Sequence, residues 1–396
     1  VAESAFAYFL NCTSLAIIAF SAHLLILRSK KQVVYLPLAG CLGAIAILIC
    51  QPLLKELIPG LQVLFLLLAL PSLYLIPPCF WLYVQGITSG TSWQLTSAHL
   101  KHFALSGVGL LIVICALLLP DELRHAILVE GREGVLESTP DLLRNLVYAL
   151  LIITFLMVLG WAVQAGFYIQ AVFWRLHSYR AQLRDLFAST EAQEGRWILW
   201  LLMAVGGVWL FAAASILYDN LVAPVKTDVV IKNLVILSMI WSVAIWGLRQ
   251  KPGFEELYLS DEETQEALRS VIDSKYQRSA LNEELADSIV KKLHQAMQQD
   301  RLFLDASLSL PKLAKHISTS AYYISQTLNE TIGVNFFDYV NRYRINAAKE
   351  QLRNTNNTVL DIAMNVGFNA KSSFYTAFKK ETQVTPNQYR EANRQE

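Results

Sequence analysis

The sequence predicts an all-α protein in two parts. Residues 1–248 read as a seven-transmembrane-helix bundle, residues 249–279 as a linker, and residues 280–396 as an all-helical domain with two helix-turn-helix units. Three observations predict this. The composition is 54% hydrophobic and only 16% charged, which is too apolar for an ordinary soluble chain of 396 residues. The apolar residues gather into long runs before residue 249, and the charge pattern changes sharply after it. Beyond residue 280 the apolar positions return three or four residues apart in short segments separated by turn residues, the period of amphipathic helices.

A helix needs about 20 residues to cross roughly 30 Å of hydrocarbon. Runs of that order lie at 5–27, 33–54, 61–84, 102–119, 142–173, 197–218 and 229–248. The fourth is the shortest, and the fifth is long enough to tilt or to project beyond a bilayer. Pro71, Pro77 and Pro78 predict a kink in the third, which neighbouring helices in a bundle tolerate. The first run, Ala5 to Leu27, has no basic stretch before it and no cleavage signature after it, so it reads as a retained span. Cys12, Cys41, Cys50, Cys79 and Cys115 all fall in or beside apolar runs without metal-ligand spacing, and read as small packing residues. His23, Lys232 and the pair Asp219-Asn220 are polar groups at or near membrane depth, read as interfacial or helix-pairing groups.

Positive charge in short loops sets orientation. Loops on one side hold ten basic residues: Arg28, Lys30, Lys31, Lys101, Arg175, Arg180, Arg184, Arg196, Arg249 and Lys251. The other side holds six: Lys55, Arg124, Arg132, Arg144, Lys226 and Lys232. With an odd number of spans, this balance puts the N-terminus outside and the C-terminal tail in the cytoplasm.

Pro252-Gly253 interrupts any helix continuing from the seventh run and marks the domain boundary. Residues 255–277 are acidic, with Leu268, Val271, Ile272 and Lys275 at helical spacing; the stretch is either a solvated linker helix or a signalling or dimer-forming one. Leu285, Ile289, Leu293 and Met297 then step by four along one helical face. The first helix-turn-helix unit spans about 309–329. Ser309 is its expected cap, Pro311 sits in the first turn, where its missing N–H does no harm, and Leu313, Ala314 and Ile317 face inward. Ser318-Thr319-Ser320 forms the turn, and Ala321 opens the second helix with Ile324 and Leu328 inside.

A second copy occupies about 358–380. Thr358 and Asp361 have the spacing of a capping box, and Ala363 is small enough for a close helix crossing. Gly367 stands where the turn needs positive φ, Asn369 is the expected cap of the next helix, and Phe374 and Phe378 fill its core face. Lys371, Ser372, Tyr375, Thr376 and Lys379 are left outward as candidates to meet DNA. Between the units, Asn335 to Arg353 reads as one helix buried through Phe336, Tyr339, Val340, Tyr343, Ala347 and Leu352. Its length of about 28 Å is close to the spacing of roughly 34 Å between successive major grooves on one face of a duplex.

With these motifs in view, residues 280–393 resemble the DNA-binding domain of the AraC/XylS family of bacterial transcription regulators. The second unit carries the resemblance through Ile362-Ala363, Val366-Gly367-Phe368, Phe374, Phe378-Lys379-Lys380, Thr385-Pro386 and Tyr389-Arg390. The first carries it more loosely, through Leu308-Ser309-Leu310, Leu313-Ala314, Ser320, Gly333-Val334-Asn335-Phe336 and Tyr343-Arg344. The family usually has glycine where this chain has Gln383, which predicts a strained helix end costing about 1 kcal/mol if φ is positive there. The resemblance implies base-reading positions at Tyr322, Ser325 and Gln326 in the first unit, and at Lys371, Ser372 and Thr376 in the second.

The charge layout supports the same expectation. Residues 301–396 hold 12 basic and 8 acidic side chains, whereas 249–300 hold 7 and 11. Exposed Lys371, Lys379, Lys380 and Arg390 are expected to neutralise phosphates, and Gln326 and Tyr322 to read base edges. An excess of four charges is modest, so a homodimer or a repeated site is expected. No P-loop, nucleophile elbow or paired carboxylates at enzymatic spacing occur, so neither an enzyme nor a cofactor or metal site is expected. The expected function is a one-component regulator in the bacterial cytoplasmic membrane, binding promoter DNA under control of an envelope or small-molecule signal. The competing reading is a transporter or channel with a regulatory tail; no halves of matching hydropathy or paired broken helices favour it.

Overall fold

The computed structural model describes residues 2–190, 198–200, 203, 229–255 and 282–393. The sixth apolar run from residue 204 onward, Asp219-Asn220 and most of the linker (256–281) lie outside the described residues. The described chain is helical, with one isolated β-bridge, and falls into two compact units. One comprises Val1–Ile87, Trp93–Arg175 and Gly195–Gln250; the other comprises Thr88–Ser92, Leu176–Glu194 and Lys251–Glu396.

In the first unit the helices are α1 (Ala2–Ser29), α2 (Tyr35–Ile49), α3 (Gln51–Leu57), α4 (Gln62–Ile87), α5 (Ala104–Leu117), α6 (Asp121–Leu128), α7 (Asp141–Leu186, whose last eleven residues belong to the second unit) and α8 (Val229–Arg249). Among the described residues, five helical segments are long and apolar enough to cross a membrane, or six if the bent pair α2 and α3 counts as one span. The two helices of that pair are bent by 57° within the expected second run. Pro52 in the first turn of α3 has no N–H to continue the ladder. α4 instead runs on through Pro71, Pro77 and Pro78 as one helix. Pro77 strips the Leu73 carbonyl of its helical donor, and the Trp161 indole N–H of α7 supplies the substitute at 2.9 Å. Ser106 Oγ donates to the Pro71 carbonyl at 2.9 Å, and a Cβ on Gly109 would lie 3.1 Å from the Pro71 Cα, so α5 packs closely there because residue 109 lacks a side chain.

α1 packs against α2 and α8, and α2 against α4. Asn233 Nδ2 donates to Ala7 O at 3.0 Å near the starts of α8 and α1. At their other ends Arg28 donates to Leu248 O and lies 4.3 Å from the Tyr35 ring centroid, while Tyr35 donates to Gln250 O at 2.9 Å. α1 and α8 therefore run parallel. The outside of this unit is apolar, with Phe9, Phe20, Leu111, Phe155, Phe167 and Trp241 all exposed. His23 and Lys232 are also exposed rather than turned into the bundle. Cys41, Cys50 and Cys79 are buried packers as expected, but Cys115 is exposed on α5. A cavity of about 340 Å³ opens between α2, α4, α7 and α8, lined by apolar groups including Leu42, Ile76, Phe80, Trp161 and Ile240.

The second unit holds the end of α7 and helices α9 (Glu283–Gln298), α10 (Leu310–His316), α11 (Ala321–Gln326), α12 (Phe336–Asn354), α13 (Val359–Asn365), α14 (Lys371–Thr382) and α15 (Pro386–Asn393). α9 buries Ala286, Ile289, Leu293, Ala296 and Met297, and leaves Leu285 exposed. Leu285 was expected on the inner face; it lies about 100° around the helix from Ala286, which takes that place. α12 is the expected single strut, capped by Asn335, whose side chain accepts from the Asp338 N–H at 2.8 Å. Phe336, Tyr339, Val340 and Leu352 are buried as expected. Arg344, Ile345 and Ala348 are buried, whereas Tyr343 and Ala347 are half-buried. The core around α13 and α14 is built from Leu352, Ile362, Ala363, Val366, Phe374 and Phe378, with Tyr389 of α15 packed on it.

Candidate nucleic-acid interface

Two helix pairs with the same turn precede and follow α12 in the chain. In the first, the Ile317 N–H donates to Leu313 O and Thr319 N–H to Ala314 O, both at 3.0 Å; Ser318 between them has φ 49°. In the second, Val366 N–H donates to Ile362 O at 3.1 Å and Phe368 N–H to Ala363 O at 3.0 Å, around Gly367 with φ 95°. The two copies differ in surroundings. Ser318 is exposed, while a Cβ on Gly367 would lie 2.6 Å from Phe303 O and 2.9 Å from Leu304 O. Positive φ alone tolerates serine at some strain; positive φ against two carbonyls requires glycine.

Of the three expected helix starts, Thr358 and Ser309 hold the N-cap positions and Asn369 does not. Thr358 Oγ1 accepts from the Asp361 N–H at 3.1 Å and donates to Asp361 Oδ2 at 2.6 Å, so the reciprocal arm of the expected box meets the hydroxyl and not the backbone. Ser309 occupies the N-cap position of α10, buried and bridged through its backbone to Phe187, and its side chain makes no cap bond. Ala370, not Asn369, caps α14; the Asn369 amide donates to Ala306 O at 3.1 Å.

The second helix of each pair carries the candidate reading residues. On α14, Lys371, Ser372, Thr376, Lys379 and Lys380 are exposed. Thr376 Oγ1 donates to Ser372 O at 2.9 Å, which holds its side chain along the helix. Tyr375, expected outward, is half-buried: its ring sits edge-on to Phe374 at 6.1 Å, and Lys371 Nζ lies 5.4 Å from its centroid. The tyrosine thus acts as a platform beneath the lysine. Lys380 is paired with Asp338 at 2.7 Å, and Arg390 is half-buried and donates to Asn357 O at 2.6 Å. Lys371 and Lys379 are the α14 cations left most available for phosphate. On α11, Tyr322, Ser325 and Gln326 share one partly exposed face. Gln326 Nε2 donates to Glu330 Oε2 at 2.9 Å, and Asn329 Nδ2 to Ser325 O at 2.9 Å.

Gln383, at the end of α14, has φ 63°, and its N–H donates to Lys379 O at 2.9 Å. The strain expected from its residue type is present. Gln383→Gly should stabilise this end by up to about 1 kcal/mol, read as a raised denaturant midpoint of the full chain without a changed slope.

Arg344, marked in the sequence only within the family resemblance, sits at the centre of the domain. Arg344 is fully buried, and its guanidinium donates to Phe303 O at 2.8 Å, Asp305 O at 2.9 Å, Ala188 O at 3.0 Å, Ser189 Oγ at 3.1 Å and Asn341 Oδ1 at 3.3 Å. Nearby, burial acts to raise the Asp305 carboxyl, but hydrogen bonds from Ser307 and the charges of Lys312 and Arg344 outweigh it and hold the group below its ordinary 3.8. A depressed folded-state pKa gives stability that is complete above about pH 4 and lost as pH falls through the lowered value. Asp305→Asn should therefore flatten the acid limb of the unfolding profile below about pH 4; an unchanged limb would count against the assignment.

Residues 313–392 match the family described as "Helix-turn-helix domain". Over 99 residues, 25% of this chain, the sequence is 36% identical to an HTH-type transcriptional regulator of Staphylococcus aureus. Over 100 residues it is 34% identical to the regulatory protein PocR of Salmonella typhimurium. The matched stretch spans only 13% of the former and 33% of the latter. Among solved structures, the C-terminal domain of AraT, a response regulator from Geobacillus stearothermophilus, is 30% identical with a TM-score of 0.26, covering 30% of this chain and 92% of that one.

Proposed function

We propose, from the premise that the C-terminal domain is a helix-turn-helix domain of the AraC/XylS type, that the chain is a membrane-bound one-component transcription regulator. The observation that carries the reading is the pair of like-built helix turns before and after one strut, each presenting a polar helix face, on the same polypeptide as five or six described apolar segments of spanning length. α11 and α14 read promoter DNA through Tyr322, Ser325, Gln326, Lys371, Ser372 and Thr376, with Lys379 on phosphate. Tyr375 supports Lys371, and Lys380 joins only when it leaves Asp338.

The helices of the first unit lie in the cytoplasmic membrane with the C-terminal domain inside. The parallel run of α1 and α8 supports an odd number of crossings, which puts the chain ends on opposite sides. The apolar cavity among α2, α4, α7 and α8 fits the hydrophobic part of a small-molecule signal. Two reading helices on one strut contact successive grooves, and the protein acts on a repeated site or as a homodimer.

Genome-wide capture of DNA by the intact chain in its membrane tests this. Discrete sites are expected, each with two short elements about 10 base pairs apart. Even coverage of the genome would defeat the reading, as would a reporter fused after Glu396 that lies outside the cell.

A further inference from the structure

The second unit includes a segment that begins far from the helix-turn-helix pairs in sequence. α7 is one helix of 46 residues, about 69 Å long and more than twice a hydrocarbon core. Its last turns, Leu176 to Leu186, and the four residues that follow belong to the second unit. These residues are buried there as a core would be: Leu176, Tyr179, Leu183, Leu186, Phe187, Ala188, Ser189 and Thr190 are each at most 8% exposed. Phe254, from the stretch after α8, is fully buried between the Tyr179 ring, edge-on at 5.4 Å, and the Phe187 ring, stacked at 6.3 Å.

The four residues after α7 form a strap. Phe187 bridges to Ser309 in antiparallel fashion, and the Ala188 N–H donates to Leu308 O at 3.1 Å, so the strap holds the entry to the first helix pair. Ala188 O and Ser189 Oγ both accept from Arg344 Nη1, and the rest of that guanidinium holds Phe303 O and Asp305 O. Arg344 also touches the second pair. Its Nε would lie 3.1 Å from a Cβ on Gly367, and its guanidinium carbon is 5.5 Å from the Phe368 ring centroid. One buried cation thus joins the strap, the entry to the first reader, the strut and the turn of the second reader.

A guanidinium in this position cannot lose the strap without consequence. Withdrawal of Ala188 and Ser189 takes two acceptors from a fully buried charged group, which must then repack or admit water. The packed junction therefore favours discrete arrangements over gradual ones.

We infer that the Phe187–Thr190 strap is the element through which α7 sets the arrangement of the two reading helices, by occupying or vacating the Arg344 cradle. The inference rests on the regulator reading above and adds the route of control. Ala188 and Ser189 are positioning residues that act through Arg344 and touch no DNA.

Coupling between two sites is reciprocal, so a strap that alters DNA binding must itself respond to DNA. The test uses the full chain in lipid nanodiscs and a duplex recovered by the capture experiment. In wild type, the duplex should change hydrogen exchange at the Ala188 amide by about five-fold or more, with amides of α1 unaffected. Ala188→Pro, which removes the N–H given to Leu308, should shift Kd for the duplex by about ten-fold or more. Ser189→Ala, which removes one acceptor, should shift it in the same direction by less.

Exchange at Ala188 indifferent to the duplex overturns the inference, as does a folded Ala188→Pro chain that binds like wild type. Should Ala188→Pro fail to fold, the wild-type exchange measurement decides alone. A wild-type chain that captures no duplex sinks the regulator reading and the inference with it; a chain that captures duplex with an indifferent strap sinks the inference only.

Discussion

Replacing Gln326 and Lys371 together by alanine is expected to abolish specific DNA binding by the full chain. The two residues stand on the second helices of different helix pairs, α11 and α14, so their losses should add. Each removes a base-edge or phosphate contact worth about 1–3 kcal/mol, and the pair about 2–6 kcal/mol, which is roughly 30-fold to more than a thousand-fold in Kd. The single variants separate the roles. Lys371→Ala should lower the slope of log K against log salt by about one if the ammonium meets phosphate, whereas Gln326→Ala should leave the slope and relax sequence preference at one position. Anisotropy titrations of a captured duplex over a salt series read both quantities. If each single variant and the double variant protect the duplex as wild type does, these helix faces are not the reading surface.

The second large effect is structural. Gly367→Ala should unfold the second helix pair or reduce its stability by about 3 kcal/mol or more. A left-handed φ costs a non-glycine residue roughly 1 kcal/mol. The added methyl meets the backbone oxygens of Phe303 and Leu304 at 2.6 and 2.9 Å, which no side-chain rotation relieves. Relief requires movement of the 303–305 segment, and that segment supplies two of the carbonyls on Arg344. The Cβ clash and the Arg344 cradle are therefore coupled. Ser318→Ala, at the matching turn of the first helix pair, is the control: φ is 49°, the site is exposed, and the change should cost well under 1 kcal/mol. Proteolysis of the full chain in nanodiscs should show early cleavage within 340–393 for Gly367→Ala alone. Equal resistance of the two variants would show that the turn tolerates a side chain.

Much of the fold was legible because it is local. The apolar runs, the Asn335 to Arg353 strut, the Thr358 start, the positive φ at Gly367 and the strained Gln383 each follow from residues within a few positions of one another. The errors have a common cause. Asn369 has the residue type of a helix cap, yet its side chain is drawn away by a partner distant in sequence, the Ala306 carbonyl. Tyr375 and Arg390 looked outward by helical phase, but aromatic packing on Phe374 and the Asn357 carbonyl, 33 residues earlier in the chain, hold them half in.

By itself the sequence determined that this chain is helical throughout its described length, that its first part is apolar at spanning length, and that its last part repeats one helix-turn-helix device. Periodicity, composition and turn residues are properties of short stretches, and they survive in any surroundings. Only the tertiary structure decided that Arg344 is the hub of the domain. An arginine is expected at the surface, and nothing adjacent in sequence marks this one as buried. Its acceptors come from residues 188–189, 303–305 and 341, and only folding brings those carbonyls close enough to compensate a desolvated guanidinium.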